Sequence, residues 1–130
     1  MSVFFFVEIC VFCLIQQYLF DSGDMGDNLP AVNLGADFVT VGLILSEYSS
    51  CVRSMSGKMK CFGDNGHGRC GRNNSVNKIG VTSDSMGDNL PVLDLGTDFD
   101  ASAMAHGSVA EFNCAADLNF NERWRCWGYV

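Results

Sequence analysis

Histidine and basic residues are scarce in this chain of 130 residues. Only two histidines occur, His67 in a glycine-rich turn and His106 beside Gly107, and neither stands at a motif spacing from a nucleophile and an orienting carboxylate. Eight Lys and Arg stand against 15 Asp and Glu, and the resulting net charge of −7 repels the phosphate backbone of nucleic acids. The sequence therefore predicts a protein that is not an enzyme, has no catalytic residues and binds no nucleic acid.

The glycine-rich stretch at residues 63–71 lacks the features of a cofactor site. No Lys-Ser or Lys-Thr follows it, as a P-loop requires, and no strand-to-helix pattern surrounds it, as a dinucleotide site requires. Cys61, His67 and Cys70 carry metal-ligating atoms, but turn geometry accounts for them without a metal. We expect neither a metal nor a cofactor.

Long apolar runs are limited to one, at residues 3–20. Its length just reaches that of a membrane span, but Glu8 interrupts it. The first basic residue of the chain is Arg53, so the basic region of a signal peptide is missing. Three interpretations remain open, namely a degraded signal or membrane anchor, a buried β segment, and a segment foreign to the fold. We expect residues 1–21 to lie outside the repeated part of the chain.

The chain repeats itself with a shift of 61 residues. Met-Gly-Asp-Asn-Leu-Pro occurs at 25–30 and again at 86–91, and 11 of 17 positions are identical between 22–38 and 83–99. Both prolines of the chain occupy the same place in the two copies. A long fixed period indicates stacked supersecondary units that cannot bury their apolar faces alone.

Each copy contains four short apolar runs separated by polar turns, and no stretch beyond residue 21 has the pattern of a helix. The predicted strands lie at 31–34, 39–45, 48–53 and 58–62 in the first copy, and at 92–95, 101–105, 109–115 and 123–127 in the second. Repeated four-stranded antiparallel units are typical of β-propeller blades. The sequence thus predicts an all-β fold over 22–130, with blades at about 30–63 and 91–128 joined by a linker at 64–90.

Seven cysteines are more than a reduced cytosolic domain usually carries. Cys51 precedes Cys61 by ten residues, and Cys114 precedes Cys126 by 12. The two cysteines of each pair would face each other across a hairpin, where opposed side chains lie within about 5 Å, close enough for a disulfide. An extracellular or membrane-associated location is therefore favoured over the cytoplasm. The alternative is that all four are buried thiols of a reduced protein.

Residues 61–71 read Cys-Phe-Gly-Asp-Asn-Gly-His-Gly-Arg-Cys-Gly. This stretch resembles the repeat of the regulator-of-chromosome-condensation family, Cys-Trp-Gly-x-Asn-x-x-Gly-x-Leu-Gly, with Phe62 where Trp is usual and Cys70 where Leu is usual. The resemblance covers about residues 22–130 and departs from the pattern at 49–51 and 112–114. The residues that match the structural repeat motif are Gly63, Asn65, Gly68, Gly71, Trp127 and Gly128.

Members of this family fold as seven-bladed β-propellers, as does the related β-lactamase inhibitor protein. The resemblance therefore implies about two blades of an incomplete propeller, a fragment whose open blade edges favour self-association. It implies a non-enzymatic scaffold that binds an unknown protein partner. The alternatives are guanine-nucleotide exchange on a small GTPase, to whose exchange surface no residue here can be matched, and a secreted recognition module or one anchored in a membrane through residues 3–20.

Overall fold

The computed structural model describes residues 26–28, 30–46, 48–74, 76–107, 112–117 and 122–129. Within these ranges the chain forms seven β-strands and short 3-10 turns, with no α-helix. The predicted all-β fold class is confirmed. Among these residues there is no helix of the length and apolar character that crossing a membrane requires. The expectations for residues 1–21 lie outside the described part of the chain.

The first sheet contains four antiparallel strands in the order β1-β2-β3-β4. Their bounds are Thr40–Leu45 (β1), Ser49–Ser54 (β2), Met59–Asp64 (β3) and Lys78–Ile79 (β4). The predicted turn at 54–57 joins β2 to β3, and the Gly57 amide donates to the Ser54 carbonyl at 3.0 Å. Gly57 has a φ of +74°, which glycine adopts without the steric cost of a side chain.

The second sheet contains three antiparallel strands in the order β5-β6-β7. Their bounds are Ala103–His106 (β5), Phe112–Asp117 (β6) and Arg123–Gly128 (β7). The hairpins of the two sheets share one register, because Cys51 opposes Cys61 and Cys114 opposes Cys126. The repeat seen in the sequence is therefore a repeat of structure.

The predicted strands at 31–34 and 92–95 are wrong, since neither segment belongs to a sheet. Leu34 and Leu93 are buried, at 8% and 6% exposure, so both runs are apolar because they pack on the sheets. The fourth strand of the first sheet comes instead from Lys78–Ile79, within the predicted linker. The first sheet thus spans 40–79 rather than 30–63, and the second spans 103–128 within the described residues rather than 91–128.

The main hydrophobic core lies between the two sheets. It joins side chains of the first sheet, including Cys51, Met59 and Cys61, to Phe99 and Ala115 from the second copy. Because side chains alternate along a strand, Val52 and Phe62 point to the opposite face of the first sheet. There they form a second cluster, whose other buried members are Leu34, Met86 and Leu90.

Candidate functional site

Both predicted disulfides are present, one in each sheet. Cys51 is bonded to Cys61 and Cys114 to Cys126, and the Cα atoms of each pair are 4.1 Å apart. The strand register places each pair directly opposite, so the disulfide cross-links β2 to β3 in one sheet and β6 to β7 in the other. Two structural disulfides favour an oxidising environment.

We expect a limiting amount of reductant to open Cys114–Cys126 before Cys51–Cys61. Cys51 and Cys61 are each 1% exposed, whereas Cys126 is an exposed residue, and reduction requires a thiolate to reach a sulfur atom. Trapping free thiols with iodoacetamide and mapping the peptides by mass spectrometry gives the order. Equal rates in the folded chain would contradict the prediction, while equal rates in denaturant are the expected control.

The loop between β3 and β4 is organised by the buried amide of Asn65, which is 4% exposed. Its Nδ2 donates to the carbonyl oxygens of Val76 at 3.0 Å and Arg72 at 3.3 Å, and to Oδ1 of Asn74 at 3.3 Å. Its Oδ1 accepts from the Cys70 amide at 3.2 Å. One side chain therefore connects both ends of the loop to its middle.

Arg69 connects this loop to the second sheet. Its guanidinium pairs with the Asp64 carboxylate at 3.1 Å and lies 5.3 Å from the centre of the Tyr48 ring. Its carbonyl oxygen accepts two side-chain hydrogen bonds, from Nδ2 of Asn113 and Nε1 of Trp127, both at 3.0 Å. The side chain of Arg69 thus anchors the loop to the first sheet, and its carbonyl receives donors from β6 and β7.

Gly71 is required by close packing at this junction. A Cβ atom at Gly71 would lie 2.2 Å from Cδ1 of Leu93 and 3.3 Å from Cδ1 of Trp127, and its φ is +65°. The motif glycines that follow the aromatic residue, Gly63 and Gly128, have matching φ values of +114° and +110°. The residues predicted as a structural motif therefore build the turn and the contact between the sheets.

Phe62 and Trp127 occupy equivalent positions in the register of the two hairpins, each directly after the disulfide cysteine. Trp127 packs against the loop through its contact with Gly71 and its hydrogen bond to the Arg69 carbonyl. Phe62 is 1% exposed and packs in the cluster that contains Leu34 and Leu90. Trp127 is only partly buried, so the two equivalent aromatic side chains differ in how far they are covered.

Cys70 is a free, buried thiol that donates to the Asp64 carbonyl at 3.4 Å. Burial, followed by the nearby Asp64 charge, raises its pKa to about 12. Cys61, which sequence spacing places near it as a second thiol, is consumed in a disulfide. Among the described residues, no three acidic, Cys or His side chains come together as metal ligands would.

We expect Cys70 to resist alkylation in the folded chain at about pH 8, because the thiolate is the reactive form. The folded state keeps the proton, so this group's contribution to stability is lost as pH rises from the ordinary pKa of 9.0 towards about 12. Peptide mapping after treatment with iodoacetamide measures the modification. Rapid labelling of the folded chain would count against the prediction, and rapid labelling after unfolding is the control.

Lys60 is a buried cation that the sequence pattern did not single out. It is 5% exposed, and its Nζ donates to the carbonyl oxygens of Leu34 at 2.7 Å and Gly87 at 2.9 Å. Nζ also lies 5.2 Å from the centre of the Phe38 ring. Desolvation lowers the pKa of Lys60, and the charge of Asp88 opposes that shift. This lysine binds the segment after the first Met-Gly-Asp-Asn-Leu-Pro copy, and the second copy itself, to the first sheet.

His67 contacts the Tyr129 ring at 5.0 Å between ring centres, and Nδ1 of His106 lies 3.2 Å from the Gly107 carbonyl. The arrangement resolved around the motif residues is a contact between repeated units. Comparison with protein-family models, with curated proteins and with solved structures finds no match for the chain.

Proposed function

We propose that this chain is a non-enzymatic protein-interaction scaffold, built as two successive blades of a β-propeller like those of the regulator-of-chromosome-condensation family. The observation that carries the proposal is the junction at Arg69, where the loop of one sheet receives side chains from β6 and β7 of the next. Stacking of repeated sheets through such loops is the construction principle of propellers. A scaffold of this kind presents loops and strand faces to partners without chemistry of its own.

The second sheet offers the surface for a protein partner. Trp124 in β7 is 54% exposed, and Tyr129, directly after β7, is 64% exposed. In the first sheet the register counterpart of Trp124 is Met59, which is 1% exposed because the second sheet covers it. Exposed aromatic side chains on a surface that is buried in the neighbouring unit are typical of a protein interface.

A secreted recognition module is the form of this function that the two disulfides favour, because such bonds persist outside the reducing cytosol. Guanine-nucleotide exchange on a small GTPase stays the alternative from another class. No residue of this chain has been assigned to an exchange surface, and a shared fold does not carry that activity with it.

Two measurements test the proposal. The oxidised chain is immobilised and exposed to extracellular fluid and to cell extract of its source, beside Trp124→Asp and the exposed-residue control Met55→Asp. We expect a protein retained by the chain and by the control but lost with Trp124→Asp. In parallel, release of fluorescent GDP from small GTPases is followed with and without the chain. Faster release of GDP in the presence of the chain would favour the exchange-factor function instead. Failure of the immobilised chain to retain any protein would contradict the proposed scaffold function.

A further inference from the structure

The segment at 86–93 closes the open side of the first sheet. The Leu93 amide donates to the Met59 carbonyl on the edge of β3 at 2.7 Å. Lys60 donates to the Gly87 carbonyl at 2.9 Å, and the Gly87 amide donates to the Asn33 carbonyl at 2.9 Å. The second Met-Gly-Asp-Asn-Leu-Pro copy is therefore bound by a lysine and by the backbone after the first copy, and Leu93, two residues beyond it, pairs with the strand edge.

Charge and apolar packing reinforce this recognition. Oδ1 of Asp88 accepts from the Ala36 amide at 3.3 Å, and the Asp88 charge acts on Lys60. Met86 and Leu90, 5% and 1% exposed, fill the cluster around Phe62. The motif thus supplies one carboxylate, one carbonyl and two apolar side chains to a site that the first sheet and residues 33–36 build.

The second sheet carries the same receiving parts in the same arrangement. Arg125 holds the register position of Lys60, and its guanidinium lies 5.7 Å from the Phe99 ring, as Lys60 lies 5.2 Å from the ring of Phe38. Each cation is held over the phenylalanine that ends its own repeat copy.

The turn at 94–97 copies the turn at 33–36. The Gly35 amide donates to Oδ1 of Asn33 at 3.0 Å, and the Gly96 amide donates to Oδ1 of Asp94 at 2.9 Å. The two glycines have φ values of +104° and +96°. A Cβ atom at either glycine would lie 3.3 Å from the terminal nitrogen of Lys60 or Arg125, respectively. The receiving turn of the second sheet is therefore already formed.

Within the described ranges, no strand pairs with the outer edge of β7. Arg125 and Cys126 are exposed, whereas Lys60 and Cys61 at the same register positions are 5% and 1% exposed. The matching ligand lies at the other end of the chain. The 3-10 turn Gly26–Asn28 belongs to the first Met-Gly-Asp-Asn-Leu-Pro copy and is exposed, and its Gly26 has a φ of +70° against +66° for Gly87.

We propose that Arg125 and the turn at 94–97, beside the outer edge of β7, bind the Gly26–Asn28 turn of a second copy of this chain. By correspondence with the first sheet, Arg125 donates to the Gly26 carbonyl of the second copy, and the Thr97 amide donates to its Asp27 carboxylate. A contact between different surfaces of identical chains is head-to-tail and extends beyond a dimer unless it closes into a ring. The inference rests on the proposed scaffold role and names one partner for it.

Sedimentation velocity at increasing concentration of the oxidised full chain tests the assembly. The wild-type chain is expected to form species larger than a dimer. Asp27→Arg removes the ligand turn and Arg125→Asp removes the receiving cation, so each variant alone stays monomeric. An equimolar mixture of the two variants stops at a dimer, because each retains the surface that the other has lost. The charge-matched controls Asp84→Arg and Lys78→Asp, both at exposed positions, assemble like the wild-type chain.

A synthetic peptide with the sequence of residues 22–30 provides a readout that needs no protein variant. It is expected to bind the wild-type chain and to dissociate the assemblies. The peptide with Arg in place of Asp27 is expected to bind at least about tenfold more weakly. A wild-type chain that stays monomeric at all concentrations, or single variants that assemble like the wild-type chain, would overturn the inference. A monomer that still retains a foreign protein through Trp124 would overturn self-assembly alone and leave the scaffold role intact.

Discussion

Replacing Phe62 by alanine is expected to lower the free energy of unfolding by about 3–5 kcal/mol. The ring is 1% exposed and is enclosed by Leu34, Met86 and Leu90, which come from both repeat copies. A cavity there loosens the first sheet and also the segment that closes its side. Unfolding in guanidinium chloride, followed by circular dichroism, measures the change.

The control for Phe62→Ala is Met55→Ala, since Met55 is 73% exposed in the turn between β2 and β3. Its substitution should change the free energy of unfolding by no more than about 0.5 kcal/mol. A decrease in the free energy of unfolding below about 1 kcal/mol for Phe62→Ala would mean that the cluster does not stabilise the first sheet.

Replacing Asn65 by alanine is expected to lower the free energy of unfolding by about 2–4 kcal/mol, because two carbonyls of the loop and the buried Cys70 amide lose their partner together. Asn65 is 4% exposed, so water does not replace the lost hydrogen bonds without opening the turn. The same denaturant titration measures the effect. The turn also positions the Arg69 carbonyl, so we expect Trp127 to become more exposed to a fluorescence quencher.

Asn65→Asp separates the two roles of this side chain. The carboxylate keeps an oxygen for the Cys70 amide but faces the carbonyls of Arg72 and Val76 without a proton to donate. It should therefore be no more stable than Asn65→Ala. The exposed neighbour Asn73→Ala is the matched control and should leave stability unchanged. Recovery of wild-type stability by Asp would show that donation from Nδ2 contributes little.

The hairpins and their disulfides could be predicted from the sequence because their signals are local. Alternation along Lys58, Met59, Lys60 and Cys61 indicates a strand, and the spacing of Cys51 and Cys61 fits a short hairpin. The runs at 31–34 and 92–95 were assigned wrongly because an apolar run has the same composition whether its backbone pairs with a strand or only packs on one. Lys78–Ile79 is too short to show any period.

The contact between the sheets could not be predicted from the sequence, for a different reason. Its acceptor is the backbone carbonyl of Arg69, and a carbonyl is present in every residue, so no residue type marks it. The role of Asn113 could not be predicted either, because asparagine occurs both in exposed turns and as a buried amide, and the residue type does not distinguish the two. The alternating pattern places Lys60 on the polar side of a half-buried strand, whereas it is 5% exposed and contacts the second repeat copy at Gly87.

Each disulfide closes a loop within its own hairpin, and its two cysteines are separated by ten positions along the sequence in one and by 12 in the other. Neither of these bonds crosses from one sheet to the other. No disulfide would therefore hold the junction at Arg69 together when tension is applied between Pro30 and Tyr129. The two sheets would separate first. Residues 52–60 and 115–125 would carry no tension, because the disulfides bridge them. Under mechanical load the chain would lengthen by less than its full contour until the disulfides are reduced.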